Sequence, residues 1–161
     1  MRIVDPMVFF DMNKKYTFTK MTIEDVSFYN CVRNECRSNL HDSCLYSLDD
    51  SKEWFLENNP LFFMLNFNSN IIGYFRTSNM NIVDKSIFIG LDIHKDFRGN
   101  GHAKNSYDLF MSFLNEIYEI EKFYLRVLKD NERALNLYNK LGFFIIEETD
   151  VDFKMEKVYE K

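Results

Sequence analysis

Two rhythms alternate along the chain, a period of two and a period of three to four. Tyr16 to Lys20 reads as a short strand. Thr22-Ile23-Glu24-Asp25 then sets a capping hydroxyl before an acidic first turn, which predicts a helix to about Asn34. Ser47-Leu48-Asp49-Asp50 repeats that signal ahead of a second helix carrying Trp54 and Phe55. Leu61 to Phe67 and Ile71 to Thr77 are β-rich runs parted by Asn68-Ser69-Asn70. That is a hairpin, because Asn tolerates the positive φ of a tight loop. Ser86 to Ile93 is a further β-rich run. Ala103, Tyr107, Phe110, Phe113-Leu114 and Ile117 recur at steps of three and four, giving one apolar helical face. Phe123 to Leu128 predicts a strand, and Arg133 to Leu141 a short helix stopped by Gly142 in a left-handed cap. Phe143 to Glu147 and Phe153 to Val158 close the chain as strands. The expectation is an α/β fold of the mixed α+β kind, antiparallel in its first half with a β-α-β unit in its second. No repeat or linker divides the 161 residues, so one domain is expected over 1–161.

Composition sharpens this in two places. The chain has 17 Phe and 9 Tyr against 2 Pro and 5 Gly. With so few glycines, the cluster Gly90, Gly99 and Gly101 becomes informative. The net charge is −5 and no basic run exceeds two residues, which speaks against nucleic-acid binding, since that needs a concentrated cationic patch. Cys31, Cys36 and Cys44 are odd in number and lack CxxC spacing. They are expected as reduced, mostly buried thiols of a cytoplasmic protein. A zinc site with His41 is opposed by the i, i+5 spacing of Cys31 and Cys36, which turns them to different faces of a helix. Asp5, Pro6 and Asp11 interrupt the N-terminal stretch, so no signal peptide is expected there, and no run is long enough for a membrane span.

The chemistry concentrates where the Ser86–Ile93 strand runs through Arg98-Gly99-Asn100-Gly101-His102-Ala103 into a helix. The first turn of a helix leaves four backbone N–H groups unpartnered at the positive end of its dipole. Glycines 99 and 101 let an oxygen approach the backbone, and Arg98 adds a fixed charge. A pyrophosphate suits such a trap. The P-loop Lys-Ser/Thr is absent and the third glycine of a dinucleotide fingerprint is missing, which disfavours ATP and NAD.

At these residues the chain resembles the GNAT family of N-acetyltransferases. The family's loop Arg/Gln-x-x-Gly-x-Gly/Ala is matched by residues 98 to 103. Its second block, Asn-x-x-Ala-x-x-Leu/Phe-Tyr-x-Lys-x-Gly-Phe, is matched from Asn131 to Phe143. Where the family often has Pro, this chain has Lys95. The resemblance implies a sheet splayed near its middle, with acetyl-CoA in the opening and no metal. Backbone groups of Leu91 and Ile93 would pair with the pantetheine arm. The N–H groups of Gly99, Asn100, Gly101, His102 and Ala103 would hold the pyrophosphate beside Arg98, and Asn131 would meet the cofactor from the other side. Tyr138 matches the general acid that protonates the leaving thiolate, and Ile93 N–H is a candidate oxyanion donor. For the base, Asp92 and His94 are the nearest titratable groups, while Asp49 and Glu53 on the second helix are candidates for lining the acceptor site. Deprotonation through water needs none of them.

The resemblance also implies a small-molecule amine acceptor, bound by the first two helices. Val32-Arg33-Asn34 with Ser51-Lys52-Glu53-Trp54-Phe55 resembles members acting on protein N-termini or nucleotide-linked amino sugars, Arg33 or Arg37 then meeting a phosphate. Tyr29, Tyr46, Trp54, Phe55, Tyr74 and Phe75 offer aromatic surface. A nucleotide-linked amino sugar is the expected acceptor. A protein N-terminus or lysine is the alternative, and an inactive acyl-CoA-binding module stands apart from both. Aromatics near the C-terminal strands are compatible with a homodimer.

Overall fold

The computed structural model describes residues 9–10 and 15–161, so most of the N-terminal stretch expected not to be a signal peptide lies outside the described residues. Among the described residues eight strands form one sheet. They are β1 (Phe9–Phe10), β2 (Tyr16–Lys20), β3 (Phe63–Phe67), β4 (Asn70–Asn81), β5 (Ser86–Ile93), β6 (Lys122–Leu128), β7 (Phe144–Glu148) and β8 (Asp152–Val158). Their order across the sheet is β1-β2-β3-β4-β5-β6-β8-β7. Among the described residues only β5 and β6 run parallel. The helix between them, α3 (His102–Tyr118), supplies the long crossover that a parallel pair requires. The other helices are α1 (Val26–Cys36), α2 (Leu48–Asn58) and α4 (Glu132–Lys140). The mixed α+β expectation holds.

Period-two alternation puts two cores on the two faces of the sheet. Phe18, Phe63, Leu65 and Phe75 face α3 and pack on Tyr107, Phe110, Phe113 and Leu114. Phe75 and Phe110 stack at 3.9 Å between centroids, and Phe63 meets Phe113 edge-on at 5.2 Å. Met64 and Tyr74, one residue over, face the α1–α2 layer with Val26, Tyr29, Val32 and Phe55. A strand covered on both sides takes apolar residues on both faces, as Phe63, Met64 and Leu65 do in β3. Each one fully buried contributes about 2 kcal/mol.

Local signals act as expected at several ends. Ser47 Oγ accepts from Asp50 N at 3.1 Å while the Asp50 carboxylate accepts from Ser47 N, a capping box for α2. At Thr22 only half of such a box forms, with the Asp25 carboxylate accepting from Thr22 N at 2.8 Å, and the first turn, Ile23–Asp25, is 3-10 before α1 begins. Asn68 and Ser69 both adopt positive φ, 49° and 68°, in the two-residue β3–β4 turn. Three expectations change. Ile117 is 38% exposed at the end of α3, and Met111 is buried instead. β4 runs on to Asn81, beyond Thr77. Cys36 is buried, but Cys31 and Cys44 are exposed, so the thiols are not mostly buried.

One irregularity shapes the molecule. β5 and β6 pair only at Ser86–Lys122, Ile87–Phe123 and Phe88–Tyr124, and beyond these residues they part. His94 N donates to Ile72 O at 2.8 Å. In an antiparallel ladder that turns the backbone groups of Leu91 and Ile93 the other way, into the gap.

Candidate active site

The gap opens into a cavity of about 340 Å³ lined by both motif regions. On one side is the N-terminus of α3. Gly99 and Gly101 adopt φ of 81° and 79°, and a Cβ at either would meet nothing closer than 3.9 Å. Backbone conformation, rather than crowding, is what calls for glycine at both. Gly101 caps α3 without a side-chain bond, and the first helical bond is Asn105 N to Gly101 O. Among the described residues, the N–H groups of Gly101 to Lys104 therefore have no acceptor. Gly101, His102, Ala103 and Lys104 line the cavity, whereas Asn100 does not.

On the other side, α4 presents Tyr138. Asn131 Oδ1 accepts from Ala134 N at 3.2 Å and caps the helix, which explains the Asn-x-x-Ala spacing. At the far end Gly142, with φ of 90°, donates to Asn139 O while Phe143 N donates to Tyr138 O at 3.0 Å. These are the two bonds of a Schellman motif, and its hydrophobic contact is the Phe143 ring on Tyr138 at 5.9 Å. The glycine stop thus also orients Tyr138. Its hydroxyl stands 3.4 Å from that of Tyr107. Burial pushes the Tyr138 phenol above its ordinary value, so at neutral pH it holds a proton to give.

Charge is distributed unevenly. Among the described residues Arg76, Arg98, Lys104, Arg126 and Arg133 line the cavity, against the single carboxylate of Asp92. This set, with the unpartnered N–H groups, fits a polyanion such as the phosphates of coenzyme A. Arg98 turns back toward β5, its Nε donating to Ile93 O at 2.9 Å and its Nη2 lying 3.1 Å from Cys36 Sγ. Burial lifts the Cys36 thiol to about 11, so this cysteine in the cavity wall is no thiolate nucleophile. His102 is buried, accepts at Nδ1 from the Tyr16 hydroxyl at 2.7 Å with the tautomer so assigned, and burial lowers its pKa.

The base candidates separate. Asp92 is buried in the cavity wall with its Oδ2 3.1 Å from Arg76 Nε. This is a charge contact without hydrogen-bond alignment, and beside it the Tyr74 hydroxyl is likewise buried and unbonded. His94 is in neither cavity lining. Its ring stacks on Phe28 at 6.0 Å, and its Nδ1 accepts from Asp96 N. β5 ends at Ile93, and His94 caps a 3-10 turn, Lys95–Phe97. Among the described residues, metal-ligating groups meet at Cys31, Glu35 and His94. The set first considered does not assemble, because His41 Nε2 pairs with Asp152 Oδ2 at 2.8 Å.

A second cavity, of about 760 Å³, opens between α1, α2 and the loop after α1. Asp42, Asp50, Glu53 and Glu57 line it, and Asp49 does not. Tyr29 and Trp54 stack at 5.3 Å in its wall. Arg33, expected to meet a phosphate, is committed elsewhere. It is buried, donates to the carbonyls of Asp42 and Cys44, and packs on the Tyr46 ring. Leu40 and Arg76 line both cavities and mark where they meet.

Sequence reasoning passed over Arg76. The signal was Gly90, a mid-strand glycine directly opposite it in the ladder, since such a glycine marks a close approach.

A family model described as the acetyltransferase (GNAT) family matches residues 26–143. The chain belongs to the GNAT acetyltransferase family. The chain is 33% identical over 69 residues to a probable spermine N(1)-acetyltransferase of Bacillus subtilis subsp. natto, covering 43% of this chain and 44% of that protein. It is 30% identical over 80 residues to a spermidine N(1)-acetyltransferase of Escherichia coli, covering 50% of this chain and 43% of that one. It thus spans under half the length of these curated relatives. In fold it is similar to a spermidine N-acetyltransferase of Vibrio cholerae solved with CoA and spermine. The TM-score is 0.79 at 20% identity, covering 89% of this chain and 95% of that one. A dodecameric structure of spermidine N-acetyltransferase from Vibrio cholerae gives 0.74 at 20% identity, covering 89% and 94%.

Proposed function

We propose that the acetyltransferase moves the acetyl group of acetyl-CoA to a primary amine of a small polycation, of the kind named for its spermidine and spermine relatives. One observation carries this reading: a cation-lined cavity and a carboxylate-bearing cavity meet at Leu40 and Arg76. Opposite charges suit opposite ligands, phosphates in the first and ammonium groups in the second. A nucleotide-linked amino sugar fits poorly, because its phosphates would face Asp50, Glu53 and Glu57 while Arg33 is held by Asp42 and two carbonyls.

Acetyl-CoA supplies an acetyl group activated as a thioester. The chain supplies the rest. The N–H groups of Gly101 to Lys104 and the cations around them hold the phosphates, and the backbones of Leu91 and Ile93 offer a strand edge to the pantetheine arm. The acceptor nitrogen, neutral when it reacts, forms the new C–N bond as the C–S bond breaks. Tyr138 gives its proton to the departing sulfur and recovers one from solvent. The surplus proton of the nitrogen passes to water in the outer cavity. In this reading neither Asp92 nor His94 takes it, since Asp92 faces Arg76 and His94 stands outside both linings. The partner protein is a second copy of the chain, a reading supported by Phe144, Ile145 and Ile146 exposed along β7.

The test is release of free thiol from acetyl-CoA with spermidine, spermine, monoamines, amino-sugar nucleotides and peptides. Turnover is expected with the polyamines. Turnover of peptides alone would move the acceptor to protein, and CoA binding without thiol release from any amine would leave a binding module.

A further inference from the structure

Arg76 belongs to neither motif, yet it stands where the two cavities meet. It lies opposite Gly90 in the β4–β5 ladder, and a Cβ at that glycine would be 2.6 Å from Arg76 Nη2 and 2.8 Å from Cζ. The side chain therefore crosses over the glycine, which brings its Nε to 3.1 Å from Asp92 Oδ2. The two partners are unequally open, with side-chain exposure of 39% for Arg76 and 5% for Asp92. Seen from the cavities, the pair shows its cation. Among the described residues no acceptor bonds Nη1 or Nη2.

The groups facing this guanidinium are mostly neutral. Tyr74 from β4, Tyr107 from α3 and Tyr138 from α4 are phenols raised by burial, and Tyr29 from α1 is pushed up to about 12. Asp92 from β5 is the carboxylate in contact. Asp42, Asp50, Glu53 and Glu57 line the wider cavity, where Arg33 pairs with Asp42.

We propose that Arg76 is a charge-selecting residue of the transfer, its guanidinium admitting the acceptor amine to the reaction centre as the neutral nucleophile while the outer carboxylates hold the other ammonium groups of a polyamine. The proposal rests on acetyl transfer to an amine that enters through the larger cavity. An aliphatic ammonium loses its proton near pH 10 in water, and its lone pair is unavailable until then. A cation fixed beside it lowers that value, while distal ammonium groups gain from the carboxylates. One ligand with two like ends is thereby oriented by charge alone.

The experiment is the pH dependence of kcat for thiol release, between about pH 6 and pH 10, with whichever amine the wild-type enzyme turns over best. Arg76→Gln is expected to move the acid limb upward by about one pH unit. Arg76→Lys, which keeps the charge, is expected to leave the limb in place. If Arg76→Gln fails to fold because Asp92 is left buried without a counter-charge, Arg76→Gln/Asp92→Asn replaces it and must move the limb the same way. An active wild type whose limb stays fixed in the charge-free variant overturns the proposal alone. A wild type that releases no thiol with any amine overturns the acetyl-transfer reading as well.

Discussion

Tyr138 is held in place by its neighbours. Asn131 starts its helix, Gly142 ends it, and Phe143 packs on its ring. The Tyr138→Phe change removes one oxygen and leaves that packing intact. Thiol release is expected to fall about a hundredfold or more, the worth of a general acid, while calorimetry finds acetyl-CoA affinity unchanged. An unaltered kcat would remove Tyr138 from the acid role. The tyrosine was legible in sequence because its supports are themselves motif residues with fixed spacing. Arg76 was not, because an arginine inside a β-rich run reads as a solvated position. Only the strand pairing reveals that it folds across Gly90 toward Asp92. Arg33 misled for the opposite reason, since nothing local announces that the loop from Asp42 to Tyr46 closes over it.

Among the elements, the β3–β4 hairpin carries a cost at its tip. Asn68 suits a left-handed conformation, but Ser69 adopts φ of 68° with a side chain that gains nothing there. Two-residue turns of this kind favour Asn-Gly. Ser69→Gly is expected to raise stability by about 0.5 kcal/mol, the relief of strain offset in part by the freer unfolded chain. Urea denaturation would detect it as a higher midpoint at constant slope, and a lower midpoint would contradict the strain at Ser69. Element bounds were legible where periodic burial and caps coincide, as at β5, which runs from Ser86 to Ile93 as expected. They were not where polar residues extend a strand. Ser78 and Asn81 continue β4 only because Phe88 and Ser86 lie opposite to pair with them.

On the scale of the whole molecule the sheet has an unguarded border. Among the described residues β7 pairs only with β8, and Phe144, Ile145 and Ile146 are each at least 40% exposed. An apolar edge strand left open is a template for another chain. Sedimentation is expected to find the wild-type chain self-associated and Ile145→Lys shifted toward the monomer. A monomeric wild type would remove this edge as a contact. Across the sheet, the parting of β5 from β6 beyond Phe88 leaves the ladder unfinished at its centre. A ligand that fills such a seam binds the folded chain and not the unfolded one. At a hundred times its dissociation constant, that linkage is worth about 2.7 kcal/mol. The supply of that one ligand would then govern how long each copy of the chain survives unfolding and proteolysis.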